Sequence, residues 1–169
     1  IRSPNASYGH LAFGNDTPSW IWTSSLVAAR FVNVLLAVGS VYLTYRLGVS
    51  VRDRATGRLA PPLLALTLGL AVLAHSAVED VPALFALLLS LYLLVRYVQT
   101  GSTARFLQAS AAGGLAIGFK LTAAPIVFVV GVGYLLRARR AGLSWPRAVW
   151  LPRLLAGGMA IGVVVILLS

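Results

Sequence analysis

The chain contains no cysteine and very few acidic residues. Only four of its 169 residues are Asp or Glu, and charged residues of both signs together make up 11%. The absence of cysteine excludes disulfide bonds and thiolate metal ligands. A soluble domain usually has about one quarter charged residues, so a chain this poor in charge belongs to a different class.

Long apolar runs occupy most of the sequence, and hydrophobic residues make up 59% of it. Most runs approach the length of about 20 residues that a helix needs to cross a bilayer. The runs at 63–74 and 126–136 lack the alternation of polar and apolar residues that a membrane-spanning β-barrel requires. We therefore predict an all-α fold, a polytopic transmembrane helix bundle.

The bundle is expected to have about six spans, the last of them truncated. They are predicted at residues 26–45, 63–78, 84–98, 106–119, 121–136 and 154–169. Pro61-Pro62 suits the first turn of the second span, where proline needs no amide partner. One helix across 106–136 would place Lys120 in mid-membrane, so two tightly joined helices are predicted there. The first of them is rich in Gly and Ala, which favours close packing.

Short links rich in arginine separate the spans. Arg52, Arg54 and Arg58 are predicted to lie in one such loop. The link from Arg137 to Arg153 is predicted to be a second basic loop, partly formed by an interfacial helix. Arginine at these positions therefore marks the ends of the spans.

The distribution of basic residues predicts the topology. A net charge of +10 would suggest nucleic acid in a soluble protein, but these arginines lie in links between apolar runs, so no nucleic-acid partner is expected. Placing the links after Arg46, Arg96 and Arg137 on one side collects most of the arginines there. The positive-inside rule makes that side cytoplasmic. Glu79-Asp80 and Lys120 then share the outer face.

Glu79 and Asp80 form an acidic corner between two apolar runs, and two interpretations of it are open. In one, Asp80 caps the following helix, whose first turn also suits Pro82, while Lys120 extends to the membrane interface. In the other, the corner belongs to a polar site, because ionised side chains in membrane segments are costly and commonly functional.

Several short motifs occur in an order that resembles the GT-C membrane glycosyltransferases. They are Ala29-Arg30-Phe31-Val32, Ser76-Ala77-Val78-Glu79-Asp80-Val81-Pro82-Ala83-Leu84-Phe85 and Gly118-Phe119-Lys120-Leu121-Thr122-Ala123. In particular, the chain resembles glycosyltransferase family 39, the branch of protein O-mannosyltransferases and aminoarabinose transferases. The resemblance implies an enzyme that transfers a sugar from a polyprenyl-phosphate donor to a protein, lipid or glycan acceptor on the non-cytoplasmic face, usually with inversion.

The resemblance also implies roles for particular residues. Asp80 would lie at the outer end of a span, lining the active-site cavity, where it orients a substrate or holds a polar network. Glu79 is the second candidate catalytic residue, with a less defined part. Lys120 matches the family's Lys-x-Thr stretch and would bind the donor phosphate, on which negative charge builds during the reaction. His75 is a further candidate substrate-binding residue.

One feature of that family is missing from the chain. The family usually has an acidic residue, often in an Asp-Glu pair, in the first outer loop after the first span, and this residue is the candidate general base. Asp16 is the sole acid before residue 53, and its Asn-Asp-Thr-Pro setting does not match. We expect the chain to be a fragment whose base lies upstream of Ile1. Its domains would be an outer-loop remnant (1–19) and a transmembrane domain incomplete at both ends (20–169).

The sequence also allows other functional assignments. His10 and His75 receive no catalytic role, because a lone interfacial histidine is more often simply hydrogen-bonded. The visible acids are too few for a hard-cation site, so no metal and no cofactor is assigned. The alternatives to a transferase are a secondary transporter with an ion-coupled site at Glu79, Asp80 and Lys120, and a scaffold without chemistry. The expected location is a bacterial or archaeal plasma membrane, with the site facing outside.

Overall fold

The structure is a computed structural model that describes residues 19–67, 69, 79–142 and 152–168. Its α-helices are α1 (Ser19–Val51), α2 (Arg54–Ala65), α3 (Asp80–Thr100), α4 (Thr103–Phe119), α5 (Ile126–Arg140) and α6 (Pro152–Leu168). No strand occurs in the described ranges. The predicted all-α fold is thus confirmed.

Within the part of the chain that the structure describes, three segments are long and apolar enough to cross a membrane: Ser24–Val51, Asp80–Thr100 and Leu121–Arg140. The helix α1, with 33 residues, is about 50 Å long at 1.5 Å per residue, which exceeds a hydrocarbon core of about 30 Å. Many large apolar side chains of α1 are not covered by the other helices, including those of Phe31, Val38 and Tyr42. Such exposure fits contact with lipid, so the protein is an integral membrane protein.

The helix α2 differs from the prediction, because it begins at Arg54 and contains Pro61 and Pro62 in its interior. The carboxylate of Asp53 accepts a hydrogen bond from the Thr56 amide at 2.7 Å and so satisfies a free amide before the prolines are reached. The predicted loop over residues 52–58 was therefore wrong beyond Asp53. The helix ends at Ala65, and residues 68 and 70–78 of the predicted second span lie outside the described residues.

Replacing Asp53 with Ala is expected to lower the melting temperature of the protein, whereas Asp53→Asn retains most of it, because Asn also caps helices well. The Thr56 amide holds the pKa of Asp53 below its usual value of 3.8. The Asp53 cap therefore stabilises the protein fully at pH values above 3.8. This stabilisation is lost as the pH falls through the lowered pKa of Asp53. Thermal unfolding of the wild type and both variants at neutral and acidic pH tests this. Equal melting temperatures for the wild type and Asp53→Ala at neutral pH would contradict it.

The joint at Lys120 agrees with the prediction of two tightly connected helices. Lys120 has an extended backbone between α4 and a short 3-10 turn, Leu121–Ala123. Its amide bonds the Ala116 carbonyl at 3.0 Å, and its carbonyl accepts from the Ala123 amide at 2.9 Å. One extended residue therefore reverses the chain.

The predicted basic loop after residue 136 was wrong for its first part. Arg137, Arg139 and Arg140 belong to the last turn of α5, and Arg153 to the first turn of α6. Cations in a last turn are favoured by the helix dipole, which explains the longer helix. Arg147 and the rest of 143–151 lie outside the described residues.

The arginines of the links gather at one end of the bundle, called here the basic end, where α1, α3 and α5 finish and α4 and α6 begin. The Gln99 side chain donates to the Ser50 carbonyl there at 2.7 Å, which ties the end of α3 to the end of α1. Glu79, Asp80 and Lys120 occupy the opposite ends of their helices. The basic links and the acidic corner therefore lie at opposite ends of the bundle, as the sequence predicted.

The main core lies between α3, α4 and α5. Its buried aromatic rings are Tyr97, Phe106 and Tyr134, and the Phe106 centroid lies 5.0 Å from that of Tyr97 and 5.5 Å from that of Tyr134. The buried Ser90 hydroxyl donates to the Ala109 carbonyl at 2.7 Å, linking α3 to α4. Interhelical bonds of this kind stabilise membrane bundles, where the hydrophobic effect is weak.

Candidate functional site: an ion pair at the end of the bundle

Asp80 is the first residue of α3, and its position depends on the buried residue that follows it. Val81 is fully buried and packs with Ala37 of α1, and Leu64 of α2 lies against the same cluster. The start of α3 is thus held by two neighbouring helices. The Asp80 side chain remains 31% exposed at the surface of this packing.

Lys120 reaches the same place from the joint between α4 and the 3-10 turn. Ala86, Ala116 and Ala123 are buried together beneath it. Their small side chains let α3, α4 and the turn approach closely, as small residues do in membrane proteins. The side chain of Lys120 therefore leaves the joint beside the first turn of α3 and is 41% exposed.

The Lys120 ammonium donates a hydrogen bond to the Asp80 carboxylate and forms a salt bridge with it. Lys120 lies outside the three candidate spans. The hydrogen bond that Lys120 donates to Asp80 is the main cause that raises the pKa of Lys120, and the charges of Asp80 and Glu79 act in the same direction. Lys120 is therefore a cation at neutral pH, and it is exposed enough to meet an anionic ligand.

The structure does not support the interpretation of Asp80 as a helix cap. Glu79 occupies the N-cap position of α3 and makes no capping hydrogen bond through its side chain. The Asp80 carboxylate bonds Lys120 instead. Asp80 still lies in the first turn, where the helix dipole favours a negative charge.

Two other predicted participants lie outside the described residues. They are His75 and the N-terminal segment 1–18, which includes His10 and Asp16. Within the part of the chain that the structure describes, no group of three or more His, Asp or Glu side chains comes together. Glu79 and Asp80 are thus the only carboxylates described at this end of the bundle, and these two alone provide no cage for a hard cation.

The prediction missed a polar cluster between α1 and α3. Arg46 donates to the hydroxyls of Tyr42 and Tyr92 at 2.7 and 2.8 Å. Its guanidinium also lies over both rings, 5.7 Å from the Tyr42 centroid and 5.4 Å from the Tyr92 centroid. The i, i+4 spacing of Tyr42 and Arg46 could have indicated half of the cluster, but Tyr92 is distant in sequence. The cluster ties α1 to α3 away from the ion pair.

One family of known proteins matches the sequence of this chain. The sequence model of the dolichyl-phosphate-mannose-protein mannosyltransferases matches residues 5–166, which is nearly the whole chain. Searches of curated proteins and of solved structures gave no match. The family consists of membrane glycosyltransferases with polyprenyl-phosphate-linked sugar donors, which favours the transferase over the transporter and scaffold alternatives. The chain belongs to the dolichyl-phosphate-mannose-protein mannosyltransferase family.

Proposed function

We propose that this chain carries the donor side of an inverting GT-C glycosyltransferase, which moves a sugar from a polyprenyl phosphate to a protein, lipid or glycan acceptor. The observation that carries the proposal is the ion pair. It joins two of the three motifs on which the resemblance to the family depends, although Asp80 and Lys120 are 40 residues apart in sequence. Neither motif has this meaning alone, because an isolated lysine or aspartate at a membrane surface is common.

Lys120 is assigned to the donor phosphate. In the transfer, the bond between the anomeric carbon and the phosphate oxygen breaks while the acceptor oxygen bonds to that carbon and gives up its proton to a general base. The electron pair stays on the leaving phosphate, so negative charge grows there as the bond breaks. A fixed ammonium beside the phosphate stabilises this charge more strongly in the transition state than in the ground state.

Asp80 is assigned to positioning Lys120 and to binding a substrate hydroxyl. Its carboxylate has two oxygens, and one accepts from the Lys120 ammonium. The second retains acceptor capacity for a hydroxyl of the sugar or of the acceptor. Glu79 is exposed and adds negative charge close to Lys120. The negative charges of Glu79 and Asp80 therefore help to keep Lys120 protonated. Neither carboxylate is assigned a role as a metal ligand.

A shallow apolar groove beside this site suits the carrier lipid. It has a volume of about 170 Å³ and runs between α3 and the segment that follows Lys120, with Leu87, Leu91, Thr122 and Ile126 among its lining residues. Thr122 is the threonine of the Lys-x-Thr stretch. We assign the groove to the first isoprene units of the donor, because its lining begins at Thr122, two residues after Lys120 in sequence. A phosphate-binding cation followed by apolar walls would match the two parts of that molecule.

The site is assigned to the non-cytoplasmic face. Arginines gather at the basic end, where α1, α3 and α5 finish, and the positive-inside rule places such an end in the cytoplasm. Asp80 and Lys120 lie at the other end of the bundle. The enzyme therefore acts on the opposite face of a plasma membrane, which we assign to a bacterium or an archaeon by resemblance to the bacterial relatives of the family.

Transfer of labelled sugar from a polyprenyl phosphate donor, measured in membranes that contain the full-length protein, tests the function. Replacing Lys120 with Gln is expected to lower kcat/KM for the donor about 100-fold, because it removes a charge that stabilises the leaving phosphate. Lys120→Arg keeps the charge and should retain more activity. Arg58→Gln removes an exposed cation of α2 and should leave transfer unchanged. Undiminished transfer by Lys120→Gln would contradict the phosphate role.

A further inference from the structure

The basic end contains a polar cavity, far from the ion pair. It has a volume of about 280 Å³ and lies where α3, α5 and α6 meet. We call it the two-arginine pocket, and its polar lining consists of Tyr97, Tyr134, Arg137 and Arg153. Asp80 and Tyr97 are 17 residues apart on α3, which is about 25 Å along a helix. One phosphate group cannot contact both places.

The charge of this pocket is not balanced by the helices that build it. The sequence contains no Asp or Glu after Asp80. Asp53 is the remaining acid of the described ranges, and its carboxylate is used to cap α2 at Thr56. The helices α4, α5 and α6 therefore provide no carboxylate for the two guanidinium groups of the pocket. The single carboxylate of α3, that of Asp80, lies at the far end of that helix and bonds Lys120. Such a concentration of positive charge favours an anion.

A buried hydroxyl supplies an independent indication of a ligand. Tyr134 is only 2% exposed, and its hydroxyl has no hydrogen-bond partner among the described residues. Tyr134 lines the same cavity as Arg153 and Tyr97. A buried donor without a partner costs about 1–3 kcal/mol, so a fold that keeps one beside two arginines is suited to an acceptor-rich ligand.

The local backbone holds one arginine in place. Gly101 joins α3 to α4 with a φ of +72°, a conformation that favours glycine. A Cβ at this position would lie 2.8 Å from both Cζ and Nε of Arg137. The Arg137 side chain therefore lies directly against the glycine and is oriented along the wall of the pocket.

We propose that the two-arginine pocket binds a phosphate group, held by the guanidinium groups of Arg137 and Arg153 and by the Tyr134 hydroxyl. The planar guanidinium is well matched to phosphate oxygens, and the hydroxyl donates to a third oxygen. The pocket lies at the ends of the helices, which is the level at which lipid headgroups meet a membrane protein. The phosphate can thus belong to an anionic phospholipid or to a free phosphate ion.

The test is calorimetric titration of the full-length protein in detergent with three probes: short-chain phosphatidylglycerol, phosphatidylcholine of the same chain length, and inorganic phosphate. Saturable binding of phosphatidylglycerol but not inorganic phosphate would support a lipid headgroup as the source. Binding of inorganic phosphate would support a free anion. Binding of none of the probes would overturn the proposal.

Three variants locate the site. The double variant Arg137→Gln/Arg153→Gln is expected to abolish binding, and Tyr134→Phe, which removes one hydroxyl and keeps the ring, should weaken it about tenfold. Arg140→Gln is the matched control, because Arg140 is an exposed cation in the same last turn of α5 but lines a different groove. Equal losses for Arg140→Gln and the double variant, or wild-type affinity for Tyr134→Phe, would overturn the proposal.

Discussion

Replacing Asp80 with Asn is expected to abolish sugar transfer by the full-length enzyme while leaving membrane insertion and expression unchanged. The substitution keeps the size of the side chain but removes the charge that fixes the Lys120 ammonium. It also replaces an acceptor oxygen with a donor group, so a substrate hydroxyl loses its partner. A fall of at least about 1000-fold in kcat is expected, because both the phosphate contact and the hydroxyl contact are disturbed. Transfer assays in native membranes measure it, and full activity of Asp80→Asn would refute the assigned role.

A charge-swapped variant separates this catalytic role from a merely structural one. If the ion pair only joins α3 to the α4–α5 joint, Asp80→Lys/Lys120→Asp should restore both stability and transfer. If Lys120 contacts the donor phosphate, the swap should restore stability alone, because the cation then lies on the wrong helix. Melting temperature and transfer activity of the same preparations distinguish the two. Recovery of transfer by the swapped pair would overturn the mechanism.

Replacing Gly114 with Leu is expected to cause a large loss of stability. A Cβ at Gly114 would lie 2.8 Å from the backbone oxygen of Ile161 and 3.0 Å from its Cα, so α4 and α6 would have to separate. Backbone atoms cannot rotate away as a flexible side chain does. We expect a loss of about 3 kcal/mol or more, at the upper end of overpacking effects. Equilibrium unfolding in mixed detergent micelles measures the free energy.

Gly158→Ala provides the matched control for that experiment. Gly158 lies on α6 close to Ile161 in sequence, but a Cβ there meets nothing within 4 Å among the described residues. Alanine is favoured over glycine in helices by up to about 1 kcal/mol, so stability should stay equal or rise. A loss for Gly158→Ala as large as that for Gly114→Leu would show that helix contact is not the cause.

The sequence predicted the class of fold well and the ends of helices poorly. Apolar composition and scarce charge predict membrane helices because the bilayer allows few alternatives. The helix α2 was misplaced, because proline suggested a start at residue 61, whereas the Asp53 cap begins the helix earlier. Arg137 was assigned to a loop for a similar reason: charge in a sequence resembles a loop even when the helix dipole stabilises it in a last turn.

The candidate site was found in part from the same kind of information. The order of arginine-rich links put Asp80 and Lys120 on one face, and resemblance to a family gave them roles. The structure adds that they form an ion pair, which no spacing of 40 residues could show. The pocket of Arg137, Arg153 and Tyr134 could not be found at all, because its members come from two helices separated along the chain.

The sequence by itself determined that this protein is a helical membrane protein with basic and acidic groups at opposite ends. Composition and periodicity suffice for this, because each span must satisfy its own backbone and bury its own apolar surface in lipid. Only the tertiary structure decided which charged residues meet. Contacts between helices depend on where small residues such as Gly114 and Ala116 allow backbones to approach, and that property belongs to pairs of helices.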